Sequence, residues 1–214
     1  MIFITGDTRS KKIIKILQIY GMGRMFIDRI IKVYPQEPWG FDNGAFRDWL
    51  NGKDFDAEAF LRRLEIAYRI GTPYLAVVPD IVAGGDKSLE FSLGWLEKLP
   101  QEWPWYLAVQ DGMKLEQVNE VISPFAGIFL GGTDKFKATA WHWCKLAHIH
   151  GKKFHYARAG TPRKLIDAKK VGADSCDSAF PLWSMERFMV LMAEWEGNTE
   201  QVGFWGPDVW SIVP

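Results

Sequence analysis

Polar residues or a glycine pair follow a series of short apolar segments along this 214-residue chain. They are Asp7, Asp42–Asn43, Asp80, Gln110–Asp111, Gly131–Gly132, Arg158 and Asp177. Carboxylates can act as nucleophiles or as general acids and bases, and glycine pairs let the backbone approach a bound molecule closely. If the apolar segments are parallel strands, these residues meet at one edge of a sheet. The pattern therefore predicts a single site at that edge.

The apolar segments alternate with helical patterns. Eight strands are predicted at residues 2–5, 25–27, 39–43, 74–78, 105–109, 128–130, 153–157 and 173–179. Helices are predicted at residues 11–20, 56–70, 87–99, 115–121, 136–148, 162–171 and 182–195. Such alternation is typical of α/β proteins in which helices cover a parallel sheet. Eight units in a chain of this length favour a compact (β/α)8 TIM barrel over an open doubly wound sheet.

The length and composition predict one globular domain. With 48% hydrophobic and 24% charged residues, the chain has the composition of an ordinary globular protein and can fill one core. We expect a single barrel domain over residues 1–214, with an irregular C-terminal tail at residues 197–214. The chain has no G-x-G-x-x-G or G-x-x-x-x-G-K-[ST] motif, so a domain for a nucleotide cofactor is not supported. No cofactor is expected.

Features that report on cellular location point to the cytoplasm. No apolar run approaches the roughly 20 residues of a membrane-spanning helix. Residues 1–12 lack the pattern of a secretion signal. Cys144 and Cys176 do not form a disulfide framework, which suits a reducing compartment. We expect a cytoplasmic protein with no membrane partner, located in the host cytoplasm if the chain is viral.

Basic residues are concentrated in one part of a chain with no net charge. Lys+Arg and Asp+Glu number 26 each, but residues 134–170 contain ten basic residues against Asp134 and Asp167. One interpretation is a solvated, lysine-rich helical surface. The other is a patch that contacts the phosphates of a nucleic acid, for which Arg158, Arg163 and Lys164 are the candidates because a barrel would place them on the rim beside Asp177.

Four segments carry a resemblance to a known family. They are AGTPRKLIDAKKVGADSCDSAFP at residues 159–181, FDNGAF at 41–46, AVQDG at 108–112 and IFLGG at 128–132. Together, and in the order in which they occur along the chain, they resemble the tRNA-guanine transglycosylase superfamily, including its shorter relatives that insert 7-deazaguanines into DNA. The resemblance implies a pentosyltransferase that exchanges guanine in nucleic acid, with DNA favoured, for a free 7-deazaguanine base through a covalent aspartate–sugar intermediate.

The resemblance assigns two carboxylates to catalysis. Asp177 matches the family nucleophile, and the strand period of two places it on one face with Ser175 while Cys176 lies on the other. A carboxylate below the anomeric carbon can stabilise an oxocarbenium-like transition state and form the covalent intermediate. Asp42 matches the second carboxylate, which manages the proton of the leaving or entering base. Asp42 also suits an Asx-turn with Gly44, and the two roles are compatible.

Further residues are implied to bind the base. Asp80 would accept hydrogen bonds from the ring N–H and exocyclic amine of a guanine-like edge. The Gln110 side chain and the backbone around Gly131 and Gly132 would serve the carbonyl oxygen. Phe46 matches an aromatic residue that stacks on the base. One more residue of the substrate site is Asn43, which stands where the family has a serine.

The chain also departs from the family pattern. No cysteine or histidine follows Asp177, so the zinc-binding subdomain of the family is absent from this sequence and no metal is expected. Four histidines lie near Cys144, and a metal site built from them is a weaker alternative because their spacing closes no tetrahedral set. They are His142, His148, His150 and His155. Ala45 and Asp111 replace family glycines, which leaves the identity of the accepted base open.

Three other functions stay open at this point. The chain could be a tRNA-directed enzyme that works with a partner subunit, or a homodimer of the same type. It could be a catalytically silent subunit that binds nucleic acid, although the presence of both Asp42 and Asp177 argues against this. It could also be a hydrolase, since the same intermediate can pass the sugar to water, depending on how well the closed site excludes water.

Overall fold

Eight parallel strands close into a barrel in the order of the chain in a computed structural model that describes residues 1–28 and 32–195. The strands are β1 (Ile2–Gly6), β2 (Gly23–Phe26), β3 (Gly40–Phe41), β4 (Leu75–Val77), β5 (Trp105–Val109), β6 (Gly127–Leu130), β7 (Lys153–Tyr156) and β8 (Ser175–Asp177). The barrel closes where β8 pairs with β1, with Asp177 in register with Ile4. The predicted (β/α)8 TIM barrel is confirmed.

Helices surround the barrel. They are α1 (Lys11–Ile19), α2 (Ala45–Leu50), α3 (Ala57–Ile70), α4 (Asp86–Leu96), α5 (Leu115–Val121), α6 (Asp134–Lys137), α7 (Ala140–Ile149), α8 (Pro162–Lys170), α9 (Phe180–Trp183) and α10 (Met185–Trp195). No helix within the described residues is long and apolar enough to cross a bilayer. The tail predicted at residues 197–214 lies outside the described residues.

Several predicted boundaries are wrong, and local chemistry explains them. The helix predicted at residues 136–148 is two helices, because the Thr133 side chain starts α6 early and the Thr139 hydroxyl bonds to the Phe136 carbonyl where α6 ends. The helix predicted at residues 182–195 is broken by the extended backbone of Ser184. The sequence patterns do not predict helix α2, because it is short and begins directly after the left-handed turn at Gly44.

The strand period of two divides the core into two layers. Side chains that point into the barrel form a small apolar cluster, made by Ile4, Met25, Leu75, Val77, Tyr106 and Ala108. Neighbouring side chains on the same strands point outward and pack against the helices, as Phe3 and Leu107 do. Because the apolar inner cluster fills the barrel, a bound molecule must sit above it, at the carboxyl ends of the strands.

The inner layer has no room for another methyl group at Gly127. A Cβ there would lie 2.4 Å from Cε1 of Tyr106 and 2.6 Å from the carbonyl oxygen of Lys153. We expect Gly127→Ala to lower the free energy of unfolding by about 1–3 kcal/mol, the usual cost of overpacking a core. Urea titration measures this. Gly94→Ala is the matched control, because a Cβ at Gly94 meets nothing within 4 Å and alanine favours helix α4. Equal stability of the two variants would contradict the prediction.

Candidate active site

A cavity of about 350 Å³ opens at the carboxyl ends of the strands, and we call it the central cavity. Its lining includes residues that follow six different strands. They are Asp42, Asn43, Phe46, Asp80, Gln110, Gly131, Gly132, Arg158 and Asp177. The structure thus brings together every candidate catalytic and base-binding residue of the sequence analysis. Asp7 lies apart from them, beside the buried guanidinium of Arg24 at 3.4 Å.

Asp177 ends β8 and points into the barrel, while Cys176 is fully buried in the outer layer. Its Oδ1 atom accepts hydrogen bonds from His155 Nε2 at 2.9 Å and from the Arg158 amide at 3.0 Å. Burial alone would raise the pKa of Asp177, but the hydrogen bonds and charge of its neighbours, His155 above all, outweigh it and hold the pKa below its usual value. The carboxylate is therefore ionised at neutral pH.

A hydrogen-bonded chain beneath the cavity orients Asp177. His155 is fully buried on β7, its ring stacks on Phe129 at 4.8 Å between centroids, and its Nδ1 lies 2.8 Å from Ser175 Oγ. Ser175 in turn bonds to Tyr74. Because a carboxylate only accepts, Nε2 of His155 carries the proton that faces Asp177. Hydrogen bonds at both ring nitrogens therefore fix the orientation of the His155 imidazole beneath Asp177.

The remaining histidines of the suspected metal cluster point elsewhere. His148 bonds to Asp174 at 2.9 Å and lies 3.7 Å from Cys144 Sγ. His150 bonds to Asn119 at 2.8 Å, while His142 lies edge-on to Trp141. Within the described residues, no three side chains of the metal-binding types come together.

Asp42 lies in a turn that is stabilised by its own side chain and by Arg63. Its Oδ1 accepts the Gly44 amide at 2.7 Å, which is the Asx-turn that the sequence suggests. The guanidinium of Arg63 donates to the carbonyl oxygens of Asp42 at 3.2 Å and Asn43 at 2.7 Å. Burial raises the pKa of Asp42 to about 6, and the negative charge of Asp177 adds to this effect. A carboxyl group with this pKa can give or take a proton near neutral pH.

Asp80 is buried and is held by two amide side chains. Asn43 Nδ2 donates to its Oδ1 at 2.7 Å, and Gln110 Nε2 donates to its Oδ2 at 3.0 Å. Burial raises the pKa of Asp80 to about 6, although both amides oppose the shift. Gln110 Nε2 also lies 2.9 Å from Ser88 Oγ, and Gln110 Oε1 accepts the Ala83 amide at 2.5 Å. Asn43 and Gln110 therefore orient Asp80, a role that the sequence analysis did not assign to them.

Arg158 lies across the mouth of the cavity. Its guanidinium sits 4.1 Å above the Phe46 ring and donates to the Gly132 carbonyl oxygen at 2.8 Å. Gly132 has φ +75°, and a Cβ there would lie 2.7 Å from Asp111 Oδ2, so the sequence requires glycine at this position. At Gly131 a Cβ would still come within 3.3 Å of the Val109 carbonyl oxygen.

The other basic candidates lie outside the central cavity. Lys164 pairs with Asp134 at 2.6 Å, and Arg163 is 92% exposed, with Asp167 at 4.0 Å. Lys137, which the sequence analysis did not single out, is buried and donates to the carbonyl oxygen of Ala157. Burial, aided by the charge of Arg158, lowers the pKa of Lys137 to about 8.

Comparison with known proteins supports the fold and gives no information about the reaction. No protein-family model matches the chain, and no curated protein matches it. Among solved structures, the chain is similar to N-acetylneuraminate lyase from Proteus mirabilis, with a TM-score of 0.55 over 99% of this chain and 81% of the lyase chain. The two sequences are 13% identical, so this likeness shows the (β/α)8 fold alone.

Proposed function

We propose that the chain is a pentosyltransferase that exchanges guanine in nucleic acid for a 7-deazaguanine base, with Asp177 as the nucleophile. The observation that carries the proposal is a set of three carboxylates in one cavity with different proton affinities. The pKa of Asp177 is lowered, while those of Asp42 and Asp80 are raised to about 6. Groups whose pKa values are pushed apart in one site are suited to separate nucleophilic and acid–base roles.

The geometry supports a two-step displacement. Asp177 Oδ1 accepts both hydrogen bonds described above, which leaves Oδ2 to attack C1′ of the sugar. The C1′–N9 bond breaks as the Oδ2–C1′ bond forms, and its electron pair leaves with the guanine, which takes a proton from Asp42. An incoming 7-deazaguanine then gives its ring proton to Asp42 and bonds to C1′. The electron pair of the ester bond returns to Asp177, and the sugar keeps its configuration.

The same cavity supports recognition of a guanine-type edge. Each Asp80 oxygen accepts one amide hydrogen bond and has capacity for another, so it can also accept from a ring N–H or an exocyclic amine. Phe46 and the Gly131–Gly132 backbone line the cavity where the base would lie, with the Arg158 guanidinium 4.1 Å above the Phe46 ring. DNA remains the favoured polymer on the sequence resemblance, with tRNA as the alternative substrate.

Exchange with labelled guanine tests the proposal directly. The protein is incubated with labelled guanine and either single-stranded DNA, duplex DNA or tRNA, and label in the polymer is counted. We expect incorporation into DNA, with single strands preferred because a stacked base cannot reach a barrel mouth. Labelling of tRNA alone would reverse the choice of polymer. Release of free guanine without incorporation would indicate a hydrolase, and no reaction with any polymer would contradict the proposed function.

Asp80 should control which base is used. We expect Asp80→Ala to weaken use of guanine by about 5- to 150-fold in KM, because a buried donor without its acceptor costs about 1–3 kcal/mol. Asp80→Asn, which preserves the shape, is the control for folding. The measurement compares exchange at guanine with exchange at hypoxanthine, which lacks the exocyclic amine. Wild type should prefer guanine and the variants should lose that preference, whereas an equal loss for both bases would mean that Asp80 serves the fold.

A further inference from the structure

A second pocket of about 440 Å³ adjoins the central cavity, and we call it the side pocket. The two share Phe46, Gln110, Gly132 and Arg158 in their linings, so a molecule bound in one can continue into the other. The base-exchange reaction uses only the central cavity. The side pocket therefore has no role in the chemistry described above.

One wall of the side pocket is aromatic and apolar. Trp49 stacks on Phe46 with 5.8 Å between ring centroids and 24° between the planes, and Val82 and Ala83 lie on the same lining. Trp49 is 50% exposed, whereas the buried side of helix α2 is formed by Ala45 and Asp48. An exposed indole on a ring pair is a surface on which a flat base can stack.

The other wall carries three cations, Lys137, Arg158 and Lys164. Lys164 is paired with Asp134, and the second acid of the lining, Asp111, accepts the amide and hydroxyl of Thr133 at 2.7 Å each. Lys137 and Arg158 instead donate to carbonyl oxygens. Their hydrogen-bond partners are uncharged, and the positive charge of Arg158 disfavours that of Lys137 more than the negative charge of Asp177 favours it. An anion between the two would relieve this repulsion.

We propose that the side pocket binds the nucleotide next to the target, with its base on Trp49 and the linking phosphate between Lys137 and Arg158. A stacking platform facing cations is the combination that binds single-stranded nucleic acid. The inference rests on the proposed function for the identity of the molecule in the central cavity. It adds that the substrate is at least a dinucleotide.

Calorimetric titration with deoxyguanosine, its 5′-monophosphate and the two dinucleotides of deoxyguanosine with thymidine tests this subsite. We expect one dinucleotide to bind at least about tenfold more tightly than deoxyguanosine, since base stacking and a phosphate contact are both added. Trp49→Leu and Lys137→Met should each lose most of this gain without weakening deoxyguanosine. If Lys137→Met fails to fold, Arg158→Gln removes the other cation of the proposed phosphate site and keeps the backbone amide that donates to Asp177.

Two control variants match the changes in chemistry. Trp183→Leu removes an exposed indole that lines neither pocket, and Lys135→Gln removes an exposed charge from the same short helix as Lys137. Both should keep the dinucleotide gain. Equal affinity for deoxyguanosine and both dinucleotides would overturn the proposal, as would a monophosphate that binds as tightly as either dinucleotide. A dinucleotide gain in a protein that exchanges no base would support the subsite and count against the proposed reaction only.

Discussion

Asp177→Asn should abolish base exchange and the covalent protein–nucleic acid adduct together. The asparagine amide cannot supply the oxygen nucleophile that bonds to C1′, so the reaction loses its first step. Removing a nucleophile in an enzyme with a covalent intermediate costs on the order of 10⁴-fold or more in kcat. Rapid denaturation of the protein with an oligonucleotide and gel separation measure the adduct, and incorporation of labelled guanine measures exchange.

The same variant should keep its fold, because asparagine preserves the contacts of Oδ1. An amide oxygen at that position can still accept from His155 Nε2 and from the Arg158 amide. Asp174→Asn is the matched control, because it is the same substitution three residues earlier. Asp174 accepts the Phe154 amide at the other end of β8, away from the cavity. It should exchange base at the wild-type rate. Wild-type exchange by Asp177→Asn would mean that another group is the nucleophile.

The positions of the site residues could be predicted from the sequence because strand geometry is regular. A period of two sends Ser175 and Asp177 to one face, and parallel strands place their carboxyl ends at one edge. The alternation of strands and helices was enough to predict the barrel. Helix ends were less predictable, because single hydroxyls such as that of Thr139 decide where α6 ends.

Contacts between strands could not be predicted in the same way. Proximity along the sequence groups His155 with the histidines of the neighbouring helix, although it lies at an inward-facing position of β7, in register with Ser175. The alternation of inward and outward side chains along β7 is the sequence signal that distinguishes His155 from the other histidines. The hydrogen bonds from Asn43 and Gln110 to Asp80 connect the ends of three different strands. These contacts form only when the barrel closes.

Burial of Lys137 was equally hidden in the sequence. It lies in a basic stretch of the chain in which no other lysine is buried, and its neighbour Lys135 is exposed. Its burial follows from the early start of α6, which turns one side of a four-residue helix against the carbonyl oxygen of Ala157. A charge count along the chain cannot separate the two lysines.

Asp42 should produce the steepest pH dependence of the first step. Its pKa of about 6 means that the protonated form, which donates to the leaving guanine, falls about tenfold for each pH unit above that value. We expect the rate of adduct formation to decline between pH 7 and 9 with that slope. Asp42→Asn should lower the rate at pH 6 by about 10²- to 10⁴-fold, the usual share of general acid–base catalysis. It should also remove the slope.

Asp80 has a similar pKa, so the two carboxylates must be separated by what each one changes. Ionised Asp80 accepts from the base, and guanine binding should therefore weaken below about pH 6, which raises KM. Protonated Asp42 donates its proton to guanine as the C1′–N9 bond breaks. The titration of Asp42 should therefore appear in the single-turnover rate at saturating substrate. Asp80→Asn serves as the control, because it should remove the acid limb of KM and keep the alkaline decline of the rate. A decline that persists in Asp42→Asn would assign the proton to another group.

The raised pKa of Asp42 also predicts a change in stability. Because the folded state binds this proton more tightly than the unfolded chain, stability falls as pH rises from about 4 to about 6, and the ionised carboxylate destabilises the fold above that range. Asp42→Asn keeps an oxygen for the Gly44 amide and carries no charge. It should therefore unfold at a higher urea concentration than wild type at pH 8 and show a smaller difference at pH 4. A variant that is less active yet more stable at pH 8 would show that the lost rate comes from the missing proton rather than from a damaged fold.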